Sequence, residues 1–124
     1  MIAGIGTDIT EVHRFEKWVQ NPAMLERFFN EKERGFSGSL ASQCQHYAAR
    51  FAAKEAFSKA LGTGITGFNL KEVYITKDSE GKPLLNIEGA ALSLMKERFG
   101  ECTAFVSLSH EKEYAVAFVI LEKR

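Results

Sequence analysis

Proline is nearly missing from this 124-residue chain: Pro22 and Pro83 are the only two. Proline-rich linkers and extended recognition segments are therefore excluded. Cysteine is as scarce. Cys44 and Cys102 stand far apart and outside any C-x-x-C spacing, so no disulfide framework can form, and two free thiols in a cytoplasmic protein are expected. Net charge is also absent, because sixteen Lys and Arg offset sixteen Asp and Glu. That excludes a whole-protein field drawing nucleic acid, and any charged partner must be met by a local patch. No apolar run approaches the ~20 residues of a membrane-spanning helix. The start, Met1-Ile2-Ala3-Gly4-Ile5, carries no basic leader ahead of an apolar core, as a signal peptide would. A cytoplasmic protein with neither nucleic acid nor membrane as partner is the expectation.

What is present suits one globular domain over residues 1–124. Hydrophobic residues make up 45% and charged residues 26%, and ten Phe supply core bulk. A short buried strand is expected over 2–6. A helix over 11–20 follows, with Val12, Phe15, Trp18 and Val19 on one stripe. Asn21-Pro22 reads as cap and first turn of a second helix carrying Met24, Leu25, Phe28 and Phe29. Asn30 caps a further turn, and 35–38 is a break. A long helix over 41–61 ends at Gly62-Thr63-Gly64. Strands near 73–75 and over 84–87 flank a turn at 78–83, a helix spans 89–99, and 103–109 with 114–121 forms a hairpin. The sum is α+β: a small, mostly antiparallel sheet packed by helices, one of them long and central.

The long helix holds the densest chemistry. At ~100° per residue, Ala49, Ala52, Ala53, Ala56 and Ala60 share one side, and Arg50, Lys54, Glu55, Ser58 and Lys59 crowd a polar arc. That arc is either a solvated face with a Glu55–Lys59 pair or a phosphate site with Glu55 holding a metal ion. Asp8, after Gly4-Ile5-Gly6, is either a turn residue or a second carboxylate on that ion. Neither a dinucleotide fingerprint nor a Walker loop is completed there. Ser107 and Ser109 share a strand face, with His110 at its end, but no nucleophile elbow is present. His13, His46 and His110 lack metal-ligand spacing. His13, Arg14 and Lys17 form either a solvated face or a basic patch for an acidic partner.

Five segments together resemble one family. These are Gly4-Ile5-Gly6-Thr7-Asp8-Ile9, the run from Arg50-Phe51-Ala52-Ala53-Lys54-Glu55 to Ala60, Gly62-Thr63-Gly64-Ile65, Gly81-Lys82-Pro83 and Ser107-Leu108-Ser109-His110. Nearly the whole chain is similar to holo-acyl-carrier-protein synthases, the small bacterial 4′-phosphopantetheinyl transferases. The resemblance implies transfer of 4′-phosphopantetheine from coenzyme A to a serine of apo-acyl carrier protein, releasing adenosine 3′,5′-bisphosphate, in fatty acid biosynthesis. It implies Mg²⁺ on Asp8 and Glu55, with Lys59 beside them as a catalytic residue. Arg50, Ser58, Lys59, Gly64, Pro83, Ser109 and His110 would lie along the coenzyme A cleft. Arg14, with Lys17, would meet the carrier protein, and homotrimers with clefts between subunits are expected. A noncatalytic binding module is the rival reading, which the paired Asp8 and Glu55 disfavour.

Overall fold

The structure is a computed structural model and describes residues 1–124. Strand β1 (Ile2–Glu11) is longer than expected. The helix expected over 11–20 shrinks to a 3-10 turn (Val12–Phe15) and one short helix, α1 (Glu16–Val19). The partner strand explains the change. Strand β5 (Tyr114–Lys123) runs antiparallel to β1 as far as the Glu11–Tyr114 pair. Ladder hydrogen bonds and the β-branched Thr7, Ile9 and Thr10 thus keep the backbone extended through Asp8.

Helix α2 (Pro22–Phe28) starts as the sequence predicts: the Asn21 side chain accepts from the Met24 N–H, and Pro22 fills the first turn. Asn30 opens a 3-10 turn through a reciprocal capping box with Glu33. Helix α3 (Leu40–Leu61) is capped by Ser39 and ends at Gly62, whose φ of 87° is left-handed. Its buried Ala52, Ala53, Ala56 and Ala60 let it lie close on the sheet. The approach is tightest at β1. A Cβ on Gly4 would collide with the Ala60 carbonyl oxygen, and one on Gly6 with that of Ala56. The Gly-x-Gly pattern is therefore a seat for a helix backbone.

Strands β2 (Val73–Lys77) and β3 (Pro83–Ile87) form an antiparallel hairpin, followed by α4 (Gly89–Phe99) and β4 (Cys102–His110). The expected single sheet is two: a three-stranded antiparallel sheet ordered β1-β5-β4 and the separate β2-β3 pair. The α+β class stands. One core lies between α3, α4 and the sheets, around Phe57, Leu61, Val119 and Leu121. A second gathers Val12, Phe15, Phe29, Tyr47 and Phe51 under α1 and α2. No helix is long and apolar enough to cross a membrane.

Candidate functional site

Asp8 shares the α3-facing side of β1 with Gly4 and Gly6, by strand alternation. The close glycine contact brings its carboxylate beside the C-terminal half of α3. There Lys59 Nζ donates to Asp8 Oδ1 at 3.1 Å and to the Thr7 carbonyl at 3.0 Å, while Thr10 Oγ1 donates to Asp8 Oδ2 at 2.9 Å. Lys59 thus pairs across to β1 rather than with Glu55 along its own helix. Glu55, one turn earlier, is half-buried. Burial raises its pKa, and the Asp8 charge raises it further, against Lys59 and Arg14, which lower it. The two carboxylates and both cations therefore act on one another. The Arg14 guanidinium lies 5.1 Å from the Phe51 ring centre, on the same side of α3.

A second cluster sits on the other flank of α3. Arg50 and Glu55 are five positions apart, about 140° around the helix. Arg50, Pro83 and His110 line a cleft of about 340 Å³ with Phe36, His46, Lys77 and Gly81. Burial lowers the pKa of Arg50, which still donates from Nη1 to the His46 carbonyl at 3.2 Å. Asp8, Glu55 and Lys59 thus form one group and Arg50, Pro83 and His110 another, on different flanks of α3.

The polar arc expected on α3 needs correction at Lys54 and Ser58. Lys54 is fully buried. Its ammonium donates to Glu33 Oε1 at 2.7 Å, the Leu70 carbonyl at 3.1 Å and the Val73 carbonyl at 2.6 Å. Glu33 Oε2 accepts from the Ile75 N–H. The pair satisfies all three ammonium protons and ties α3 to β2, so Lys54 faces the core rather than solvent. Ser58 is buried too, and its hydroxyl donates to the Glu55 carbonyl at 2.6 Å. Gly64 is exposed, with φ of 67° and open space where a Cβ would stand. Ser109 is exposed on the sheet face turned away from α3, and Lys17 is exposed on α1.

Phe36, His46 and Lys77 escaped the sequence reading. His46 had a signal, since it stands four residues before Arg50 and so on the same helix flank. Phe36 lies in the break expected at 35–38. A separate cavity of about 730 Å³ is lined by Glu11, His13, Glu16, Leu40, Cys44 and Tyr114, and of the predicted residues it holds only His13 of the basic patch.

The donor chemistry at Asp8 and Glu55 fits a hard divalent cation. No three His, Cys, Asp or Glu side chains converge, so an ion there would rest on two carboxylates and draw its other ligands from water and substrate phosphate, as magnesium does. Burial and, after it, the Asp8 charge raise the Glu55 pKa, and a bound cation would favour the ionised carboxylate against both.

Comparison with known proteins identifies the family. The family model described as the 4′-phosphopantetheinyl transferase superfamily matches residues 4–119. A holo-[acyl-carrier-protein] synthase of Treponema denticola is 47% identical over 123 residues, covering 98% of this chain and 99% of that one. The crystal structure of a Bacillus anthracis holo-(acyl-carrier-protein) synthase in complex with CoA (3′,5′-ADP) is 39% identical, with a TM-score of 0.81 and coverage of 100% and 99%. That of the Neisseria meningitidis holo-[acyl-carrier-protein] synthase is 37% identical, with a TM-score of 0.84 and coverage of 99% and 100%. By the match over residues 4–119 and the 47% identity across nearly the full length of both chains, the chain belongs to the 4′-phosphopantetheinyl transferase superfamily, among the holo-[acyl-carrier-protein] synthases.

Proposed function

We propose that this protein transfers 4′-phosphopantetheine from coenzyme A to a serine of apo-acyl carrier protein, with Mg²⁺, in cytoplasmic fatty acid biosynthesis. The observation that carries the reading is that Asp8 of β1 and Glu55 of α3, distant in the chain, act electrostatically on one another, with Lys59 bridging to Asp8. The Bacillus anthracis relative solved with CoA (3′,5′-ADP) supports coenzyme A as the donor.

Phosphoryl-type transfer depends on positioning and charge neutralisation more than on covalent help from the protein. Asp8 and Glu55 would hold the ion, which when bound neutralises the diphosphate and polarises the attacked phosphorus. Thr10 orients Asp8 by donating to Oδ2. Lys59 supplies a second positive charge one turn from Glu55, held ready on Asp8 until phosphate oxygens replace that contact. Arg14 and Lys17 would meet the acidic helix of the carrier protein.

The α3 helix separates the carboxylate group from the Arg50–Pro83–His110 group, and a homotrimer would reunite them between neighbouring subunits. The outer sheet face supports association. Ile5, Ile9, Phe105 and Phe118 are 58%, 63%, 48% and 39% exposed on it, an apolar patch that a monomer would leave in water.

Labelling of an apo-carrier protein with a fluorescent coenzyme A tests the reaction. Labelling that requires added Mg²⁺ is expected; undiminished labelling in a chelator overturns the metal assignment, and none with the metal overturns the transfer. Light scattering should report three copies, and an active monomer would refute the shared cleft.

A further inference from the structure

We infer that metal ion and diphosphate load this site as a pair: Lys59 holds the Asp8 oxygen that the ion needs and is drawn off it by phosphate, while Thr10 keeps the carboxylate in place. The inference rests on the magnesium and coenzyme A reading above and adds what the two hydrogen bonds on Asp8 do.

Both oxygens of the Asp8 carboxylate are taken, by donors of opposite kinds. Thr10 Oγ1 donates to Oδ2 at 2.9 Å. Thr10 is 4% exposed and shares the α3-facing side of β1 with Asp8, so this bond belongs to the packed strand. Lys59 Nζ donates to Oδ1 at 3.1 Å from a side chain that is 53% exposed. Lys54, on the same helix, shows the contrast: it is buried, and all three of its ammonium protons are bonded within the protein. Lys59 makes two such bonds, to Asp8 and to the Thr7 carbonyl. Ion pairs made by exposed lysines are weak. Lys59 is therefore the exchangeable donor, and Oδ1 the exchangeable oxygen. Glu55 forms no ion pair, so Asp8 is the carboxylate that limits entry.

An ammonium and a divalent cation repel one another at a shared oxygen. An ion arriving alone meets an Asp8 whose Oδ1 is free for only a fraction of the time, and its apparent affinity falls by that fraction. A diphosphate carries more negative charge than one carboxylate and accepts from Lys59 in its place, which frees Oδ1. Each ligand thus improves the site for the other, and linkage makes the two improvements equal. Thr10 stays on Oδ2 through the exchange, so the carboxylate does not turn away with the departing lysine.

Mn²⁺ is the probe, since it takes the same oxygen ligands and its free form is counted by electron paramagnetic resonance. The full-length chain is titrated without and with saturating coenzyme A, and the ion held by coenzyme A alone is subtracted. The parent should bind Mn²⁺ at least about tenfold tighter with coenzyme A. Lys59→Ala should bind Mn²⁺ alone about threefold or more tighter than the parent does, and coenzyme A should then add severalfold less. The charge of Arg14 reaches Glu55 while its guanidinium packs on Phe51, so Arg14→Ala should leave binding of Mn²⁺ alone within about twofold. Thr10→Val keeps the β-branched shape that a strand favours. It should melt like the parent yet weaken Mn²⁺ about threefold, and Thr10→Ser should restore the affinity. Unchanged or weaker binding of Mn²⁺ alone in Lys59→Ala, when Asp8→Asn abolishes it, overturns the exchange and leaves the metal site standing. Equal tightening by Arg14→Ala also overturns it, since charge at a distance would then suffice. Equal losses in Thr10→Val and Thr10→Ser overturn the part given to Thr10. Binding undisturbed by Asp8→Asn refutes the metal reading itself.

Discussion

Lys59 and Asp8, 51 residues apart in the chain, meet at 3.1 Å, and the same ammonium also takes the carbonyl of Thr7. Around this pair the glycine-lined strand, the long helix and the neighbouring Glu55 become one chemical unit. Asp8→Asn and Glu55→Gln should each lower transfer by at least about a hundredfold while melting like the parent. In the metal-free protein, Asp8→Asn should also lower the Glu55 pKa, because the Asp8 charge is one of the two causes holding it up. A titration of the Glu55 carboxyl by NMR would show the shift.

Gly6→Ala attacks the same unit from beneath. The new methyl would strike the Ala56 carbonyl, a backbone atom that yields only if α3 lifts. Overpacking of this kind costs about 1–3 kcal/mol or more, and Glu55 would move with the helix. Urea unfolding should show the loss and the transfer assay a matching decline. A fully stable, fully active variant would contradict the close approach.

The buried Lys54–Glu33 pair predicts a sharp asymmetry between single and double variants. Lys54→Met leaves the Glu33 carboxylate alone in the core and should cost about 3–5 kcal/mol. Combining it with Glu33→Leu should recover much of that, measured by denaturant midpoint at constant slope.

His46 gives a pH prediction. In the fold it takes a proton only near pH 4, against 6.5 for an unperturbed histidine, chiefly because it is buried. As pH falls below about 6.5 the unfolded chain binds the proton first, so stability drops between pH 6.5 and 4 and is fully present above that window. His46→Phe should remove this component from a plot of melting temperature against pH. A plot of unchanged slope would mean that the ring titrates freely.

Arg14→Glu should raise the KM for the carrier protein about tenfold at low salt, with kcat little changed, and the gap should narrow as salt is added. A salt-independent defect would point to lost packing on Phe51 instead.

Local chemistry was the legible part of the fold. The Asn21 and Asn30 caps, the Gly62 stop and the hairpin of β4 and β5 each follow from a few adjacent residues. Partner-dependent features were not legible. The length of β1 is set by β5, more than a hundred residues away, and helical periodicity in Val12, Phe15 and Val19 cannot report that competition. Lys54 looked solvated because Glu33, which neutralises it, lies 21 residues upstream in a different turn. At the candidate site, Asp8, Glu55 and Lys59 stand out through motif resemblance alone, and the structure adds the contact of Lys59 with Asp8. Phe36 and Lys77 were not, since a loop aromatic and a strand-end lysine acquire meaning only when the fold sets them beside Arg50.

One consequence follows from the two flanks of α3. If the subunits associate as proposed, every copy lends Glu55 to one reaction chamber and Arg50 to the next, so the working unit is a seam rather than a polypeptide. Two differently crippled copies, one lacking each residue, could then heal each other in a mixed assembly that neither could animate alone.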